Sequence, residues 1–111
     1  MAVLQAEDSN FEQLIKENTS VIVKYYADWC GTCKLFSPKF RRLSGDERFD
    51  GIVFLDVNAE TNPLARKAAS VNNLPSFGIF KYGKHVETVS TGKEEVVVEL
   101  LEKLKLAGAQ I

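Results

Sequence analysis

Apolar residues follow two patterns along this chain, and the two patterns alternate. Short runs rich in β-branched and aromatic residues occupy positions 21–27, 52–57 and 76–82. Such runs are typical of strands that are covered on both faces of a sheet. Only Lys24 interrupts the apolar character of the first run. We therefore predict that this run is the central strand of the sheet.

The segments between the runs carry apolar residues at helical spacing. They predict helices over about residues 10–17, from Cys30 to near Gly45, from Pro63 onward, and up to about residue 107. Two weaker strands are predicted at residues 3–5 and 85–90, the second joined to its predecessor by a hairpin at Gly83. The order is then β-α-β-α-β-α-β-β-α, with parallel crossovers first and an antiparallel hairpin last. No linker or repeat divides the chain, so we predict one domain over residues 1–111.

Capping residues and an apolar face refine these helices. Ser9 with Glu12 predicts a capping box for the first helix, and Asn62 predicts a cap before Pro63. Gly45 predicts a left-handed C-terminal cap for the second helix. The inner face of the third helix is predicted to consist of its small and branched apolar residues, Leu64, Ala65, Ala68 and Ala69.

Composition narrows the class of protein. The 111 residues are 45 % hydrophobic and 26 % charged, with a formal net charge of −1, so no basic patch indicates a nucleic-acid partner. No apolar run approaches the roughly 20 residues of a membrane span. The first residues lack the basic and apolar regions of a secretory signal, so we expect a cytoplasmic protein. The alternative is an exported protein whose leader has been removed.

The two cysteines carry the candidate chemistry. Cys30 and Cys33 are two residues apart, between the predicted central strand and the helix that follows it. Unpaired N–H groups and the positive end of the helix dipole favour a thiolate at Cys30, and the thiolate is the nucleophile of disulfide exchange. Cys33, one turn later, is placed to attack a mixed disulfide on Cys30 and to form a disulfide with it. Inert thiols or a structural disulfide are the alternatives, and a zinc site would need about four ligands.

Several motifs in order then give a resemblance. Trp29-Cys30-Gly31-x-Cys33-Lys34 is followed by Pro38, Asn62-Pro63, Leu74-Pro75-Ser76-Phe77, Phe80-Lys81-x-Gly83 and Gly92. Over nearly its full length the chain resembles the thioredoxin family, for which a Cys-x-x-Cys pair beside a β-α-β pattern is a recognised signature. The resemblance implies an α/β thioredoxin fold, with a mixed sheet of about five strands flanked by about four helices.

The resemblance also implies roles for individual residues. Cys30 would be the exposed attacking thiol and Cys33 the buried resolving thiol. Leu74 and Pro75 would join through a cis peptide that lies against the disulfide and helps to receive the substrate chain. Trp29 and Gly92 would form a docking surface for a partner protein, together with Gly31 and Thr32 of the motif.

Two departures from the family pattern bear on the chemistry. Thr32 replaces the usual proline between Gly31 and Cys33, which restores an N–H and predicts a weaker reductant. Lys24 stands where the family has a buried acid, and Asp56 stands where bacterial members have a lysine. We predict a reversed ion pair in which Asp56, through Lys24 or a water, or Lys24 itself, accepts the proton of Cys33. The alternative is that both side chains reach solvent and have no role.

The sequence therefore predicts a thiol–disulfide oxidoreductase that reduces protein disulfides. The cysteine pair is the redox centre, so we expect no metal and no organic cofactor. The expected partners are protein disulfides and a reductase linked to NADPH or ferredoxin, and we expect a monomer with no nucleic-acid or membrane partner. Two alternatives remain: a more oxidising relative that forms or isomerises disulfides, and a binding module whose cysteines gate a protein contact.

Overall fold

The computed structural model describes residues 3–107, so the two ends of the predicted domain, residues 1–2 and 108–111, lie outside the described part. The strands are β1 (Val3–Gln5), β2 (Ser20–Tyr26), β3 (Val53–Asn58), β4 (Ser76–Lys81) and β5 (Lys84–Ser90). The helices are α1 (Phe11–Glu17), α2 (Gly31–Ser44), α3 (Pro63–Ala68) and α4 (Glu94–Ala107). The predicted order of elements is confirmed, and a short 3-10 helix at Glu47–Phe49 is added to it.

The five strands form one mixed sheet in the order β1-β3-β2-β4-β5. The pairs β1–β3 and β2–β3 are parallel, whereas β2–β4 and β4–β5 are antiparallel. β2 is thus the central strand, as its apolar run predicts. Parallel pairing places Lys24 of β2 directly beside Asp56 of β3 in the register of the sheet.

The alternation of side chains along β2 divides the core into two layers. Val21, Val23 and Tyr25 face one layer, which they share with residues of α1 and α3. Ile22 faces the other layer, which is built with residues of α2 and α4. Lys24 lies two residues beyond Ile22, so its side chain extends from the face that α2 covers. The position of this lysine under α2 therefore follows from the pleat of the strand.

The predicted capping box of α1 is wrong. The N-cap of this helix is Asn10, whose side chain makes no cap bond. Instead, Asn10 Oδ1 accepts a hydrogen bond from the Glu7 N–H at 2.8 Å, and the Phe11 N–H donates to the Glu7 carbonyl at the same distance. The turn before the helix already provides these bonds, so a serine cap is not required.

The predicted cap of α3 is correct in its position but wrong in the side chain that accepts the cap bonds. Asn62 is the N-cap and Pro63 is the first helical residue, but the Asn62 side chain makes no cap bond. Its Oδ1 accepts from the Asp8 N–H at 2.8 Å. The Asp8 carboxylate in turn accepts from Leu64 N–H at 3.1 Å and Ala65 N–H at 2.8 Å. α3 is therefore capped by a residue that lies before α1.

Two further expectations are corrected. Gly45 closes α2 at φ −99°, so the cap is not left-handed, and its N–H bonds back to the carbonyls of Arg42 and Leu43. Of the four residues predicted for the inner face of α3, only Ala65 and the C-cap Ala69 are buried, whereas Leu64 and Ala68 are exposed. A helix of 6 residues has room for one narrow contact stripe against the sheet. None of the described helices is long and apolar enough to cross a bilayer.

Candidate active site

The cysteine pair lies where β2 passes into α2. Cys30 is the N-cap of α2, with extended backbone angles, and its Sγ accepts a hydrogen bond from the Cys33 N–H at 3.1 Å. The Cys30 N–H donates to the Ala27 carbonyl at 3.1 Å, which fixes the turn between strand and helix. The two residues form a disulfide, with Cα atoms 5.3 Å apart. A sulfur at this position sits at the positive end of a 14-residue helix.

Both cysteines are largely covered in this disulfide form. Cys30 is 5 % exposed and Cys33 is 2 % exposed. They form a small cluster with Ala27, against which Tyr26 and Leu74 pack. The expectation of an exposed Cys30 is therefore corrected, because neighbouring apolar side chains cover most of its surface. Cys30 remains the more accessible of the two residues.

A cis peptide joins Leu74 and Pro75 beside the disulfide, as the resemblance implies. The Pro75 carbonyl accepts from the Thr91 N–H at 3.2 Å and from the Ser90 hydroxyl at 3.3 Å. These bonds tie the proline to the end of β5 and to the loop that contains Gly92. The structure thus brings Leu74, Pro75 and Gly92 to the same end of the sheet as the cysteines.

The residues predicted for the docking surface are exposed. The Trp29 side chain is 68 % exposed, and its indole N–H donates to the Glu60 carboxylate at 2.7 Å. Gly31 and Thr32 are also exposed, and no atom lies within 4 Å of the position of a Cβ on Gly31. A Cβ on Gly92 would lie 2.8 Å from Thr32 Cγ2. The threonine that replaces the usual proline therefore packs against the predicted docking glycine.

The reversed pair is formed beneath the cysteines. Lys24 Nζ lies 3.4 Å from Asp56 Oδ1, and the two side chains are 2 % and 24 % exposed. The alternative, in which both groups reach solvent, is excluded for the lysine. Within residues 3–107, Asp56 Oδ1 is buried and receives no well-formed hydrogen bond, and the ammonium lies at the long distance of 3.4 Å. The pair is held by charge more than by hydrogen-bond geometry.

Burial moves both groups toward their neutral forms. Desolvation lowers the pKa of Lys24, while the Asp56 carboxylate works against that shift. Desolvation likewise raises the pKa of Asp56, and the Lys24 ammonium opposes the shift. A carboxylate with a raised pKa accepts a proton more readily than an ordinary aspartate. The arrangement is therefore suited to proton transfer near Cys33.

A cavity of about 130 Å³ connects the pair to the resolving cysteine. Its lining consists of Lys24, Tyr26, Ala27, Asp28, Cys33, Lys34, Ser37 and Asp56. Reasoning from the sequence did not include Ser37 in the site, although its hydroxyl accepts a hydrogen bond from Lys24 Nζ at 2.6 Å. The signal available was its spacing, four residues after Cys33 on the same face of α2. Among the described residues, no group of three or more His, Cys, Asp or Glu could hold a metal ion.

Comparison with known proteins gives one consistent result. The family model described as Thioredoxin matches residues 2–103. Thioredoxin 1 of Plasmodium falciparum is 26 % identical over 93 % of this chain and 97 % of its own length. The chloroplastic thioredoxin F1 of Arabidopsis thaliana is 32 % identical over 96 % of this chain, which spans 61 % of that longer protein.

A solved structure extends the comparison to an assembly. It is the complex of ferredoxin:thioredoxin reductase with thioredoxin f2, and a chain in it is 29 % identical to this one. The match has a TM-score of 0.84 and covers 94 % of this chain and 96 % of the other.

Proposed function

Because the chain belongs to the thioredoxin family, we propose that it reduces protein disulfides with Cys30 as the attacking thiol and Cys33 as the resolving thiol. The chain is a thiol–disulfide oxidoreductase, since a family model matches it over residues 2–103 and its two cysteines form a disulfide. The observation that carries the assignment of roles is the N-cap position of Cys30. Its sulfur receives the Cys33 N–H and the helix dipole, and both stabilise a thiolate there.

The reaction transfers two electrons in two exchanges. The Cys30 thiolate attacks one sulfur of a substrate disulfide, so that a mixed disulfide forms and the first substrate thiolate leaves and takes up a proton. Cys33 then loses its proton and attacks Cys30 Sγ. The Cys30–Cys33 bond forms, the bond to the substrate breaks, and the second substrate thiolate leaves. The substrate is reduced and the chain is oxidised.

The second exchange requires a proton acceptor for Cys33. Asp56 is the proposed acceptor, because its buried Oδ1 borders the cavity that Cys33 also lines and because burial raises its pKa. Lys24 keeps a positive charge at the same cavity and stabilises the Cys33 thiolate. Charges of opposite sign attract each other far more strongly in a site without water than in bulk water. Lys24 and Asp56 thus act as a pair, and each stands at the position where the family pattern has the opposite charge.

Recognition is proposed to use the surface around Cys30. Trp29, Gly31, Thr32 and Gly92 present exposed groups around the disulfide, with Gly92 beside the Thr32 side chain. Leu74 packs against the cysteines, and the cis peptide joins it to Pro75, which is buried. An extended substrate chain would lie across this shallow surface, with its own disulfide over Cys30.

The chain acts on protein disulfides and is itself reduced by a reductase-type partner. Of the solved relatives, one thioredoxin f2 is seen with ferredoxin:thioredoxin reductase, and this supports a reductase of that kind or an NADPH-linked one. We further propose that the chain is a cytoplasmic monomer that works in cellular redox homeostasis and electron transport. In this proposal it needs no organic cofactor, metal, membrane or nucleic acid.

A second candidate, a more oxidising enzyme, is favoured by Lys24 and Thr32. A buried ammonium beside Cys33 stabilises the thiolate, and so stabilises the reduced form, which raises the reduction potential. Thr32 is also predicted to raise the reduction potential. The third candidate is a redox-gated binding module. Its cysteine pair would be oxidised or reduced once per molecule, without turnover of a substrate.

Turnover of a protein disulfide separates either enzyme from the binding module. With excess dithiol as reductant, the chain should reduce many equivalents of insulin, and both Cys30→Ser and Cys33→Ser should lose this activity. Cys33→Ser should accumulate a mixed disulfide with the substrate, whereas Cys30→Ser should not. Reduction limited to one equivalent would support the binding module. A trapped complex formed by Cys30→Ser instead would overturn the assignment of roles.

A further inference from the structure

Ser37 links the buried ion pair to the helix turn that carries the resolving cysteine. Its hydroxyl accepts from Lys24 Nζ at 2.6 Å, which is shorter than the 3.4 Å contact between Lys24 and Asp56. The same hydroxyl donates to the Cys33 carbonyl at 3.3 Å. Ser37 therefore makes the shortest polar contact of the ammonium among the described residues.

The two bonds of Ser37 define what the residue does. A hydroxyl has one hydrogen, and here that hydrogen points to the Cys33 carbonyl while a lone pair faces the ammonium. The single hydrogen of Ser37 is thus directed at a backbone carbonyl and at neither Lys24 nor a sulfur. It fixes the place of Lys24 relative to Cys33, and it does not relay a proton.

We propose that Ser37 is a positioning residue that holds the Lys24 ammonium beneath Cys33 and so stabilises the thiolate that Cys33 becomes in the resolving step. This inference rests on the proposed function, in which Cys33 resolves the mixed disulfide. Without the hydroxyl, the ammonium loses its shortest hydrogen bond in a site that is 2 % exposed. Its charged form is then less stable, and the ammonium is no longer linked to the helix turn that carries Cys33.

Other charged and titratable groups surround the ammonium and contribute to its electrostatic environment. Asp56 faces it from β3, with its Oδ1 3.4 Å from the ammonium. The groups on the remaining elements are Tyr26 and Asp28 at the end of β2, and Cys33, Lys34 and Arg41 on α2. Arg41 lowers the pKa of Lys24 by repulsion. None of these groups is altered when Ser37 is changed, so a change at Ser37 isolates the hydroxyl.

The test is a titration of Cys33 alone. The chain has 2 cysteines, so in the Cys30→Ser variant the thiolate absorbance near 240 nm reports Cys33 once the tyrosine background, measured on the variant without either cysteine, is subtracted. Adding Ser37→Ala to this variant should raise the pKa of Cys33 by about one unit, which is about tenfold less thiolate below that pKa. Ser37→Thr, which keeps a hydroxyl able to bond the same carbonyl, should restore the original titration.

A matched control lies on the same helix. The Ser44 hydroxyl donates to the Arg41 carbonyl at 2.6 Å and does not line the cavity, so Ser44→Ala should leave the pKa of Cys33 unchanged. An unchanged or lowered pKa in Ser37→Ala would overturn the proposal, as would an equal rise in Ser44→Ala. If Ser37→Ala does not fold, Ser37→Val compared with Ser37→Thr makes the same test.

Failure of this inference and failure of the proposed function are separable. The proteins with both cysteines are assayed for insulin reduction at pH 7, where Ser37→Ala should be several-fold slower and Ser44→Ala should match the parent. If the parent turns over insulin but Ser37→Ala shifts neither titration nor rate, only the role of Ser37 is rejected. If the parent does not turn over insulin, the reductase function is rejected.

Discussion

Removing one partner of the Lys24–Asp56 pair should destabilise the fold by an amount that depends on which partner is removed. Asp56→Asn leaves an ammonium without a counter-charge at a place where the side chain is 2 % exposed. Lys24→Met leaves a carboxylate that is 24 % exposed and can be hydrated. The methionine also keeps an apolar stem near the Tyr26 and Phe40 rings, which lie 5.7 and 5.6 Å from Nζ. Asp56→Asn should therefore be the more damaging change.

The expected loss in the free energy of unfolding has an upper limit, and a remaining contact of Lys24 reduces it. Removing one member of a buried pair typically costs about 3–5 kcal/mol. Lysine can escape by losing its proton, and from an ordinary pKa of 10.5 this costs about 4.8 kcal/mol at pH 7, at about 1.36 kcal/mol per pKa unit. The Ser37 hydrogen bond keeps part of the ammonium's stabilisation. We expect a loss of about 2–4 kcal/mol in Asp56→Asn and about 1 kcal/mol or less in Lys24→Met.

Urea unfolding of the oxidised proteins at pH 7 measures these values. The double variant, Lys24→Met with Asp56→Asn, should lie within about 1 kcal/mol of the parent, because it removes both charges together. The loss in Asp56→Asn should shrink as the pH rises. Its Lys24 has a lowered pKa when folded, so the unfolded chain binds more protons up to pH 10.5, and stability increases with pH in that window.

Three results would refute this reasoning. The first is a loss in Lys24→Met that equals or exceeds the loss in Asp56→Asn. The second is a double variant whose loss is the sum of the two single losses. The third is a loss in Asp56→Asn, relative to the parent, that grows between neutral pH and pH 10.5. Any of these would mean that Lys24 is not a buried, charged partner of Asp56.

Other parts of the structure give further predictions. Asp8→Ala removes both acceptor bonds at the start of α3 and should cost about 1–2 kcal/mol, or about 4–8 °C in melting temperature, whereas Asp50→Ala on the exposed surface should not change it. Gly92→Ala places a Cβ 2.8 Å from Thr32 Cγ2 and should raise the KM for a protein substrate about fivefold, near 1 kcal/mol; adding Thr32→Ser, which lacks Cγ2, should reverse this. Thr32→Pro should lower the reduction potential by about 30 mV, near 1.4 kcal/mol, in thiol-buffer equilibration, and an unchanged potential would remove Thr32 as a determinant.

Features that depend on local sequence were predictable. The buried strand at 21–27, the helix after Cys30 and the stripe of α4 depend on neighbouring residues, and each is present. The predicted pair of Lys24 and Asp56 is also present, because the register of two parallel strands places these residues side by side. Their proposed role in proton transfer stays a prediction.

Features that depend on contacts between distant segments were not predictable. Asp8 caps a helix that begins more than 50 residues later, and no local pattern in the sequence indicates such a bond. The cover over Cys30 comes partly from Leu74, a residue of another loop. The contact of Ser37 with Lys24 could not be predicted without knowing that the lysine side chain on β2 extends beneath the first turns of α2. Each of these features was set by tertiary packing.

The reduction potential of the Cys30–Cys33 pair tests the central claim most directly. It is measured by equilibrating the protein with defined dithiol buffers and following the state of the pair, for example by Trp29 fluorescence. A protein-disulfide reductase should give a potential more negative than the glutathione pool, near the value of about −270 mV known for thioredoxin itself. A potential above about −200 mV would contradict the claim, and would assign the chain to disulfide formation or isomerisation instead.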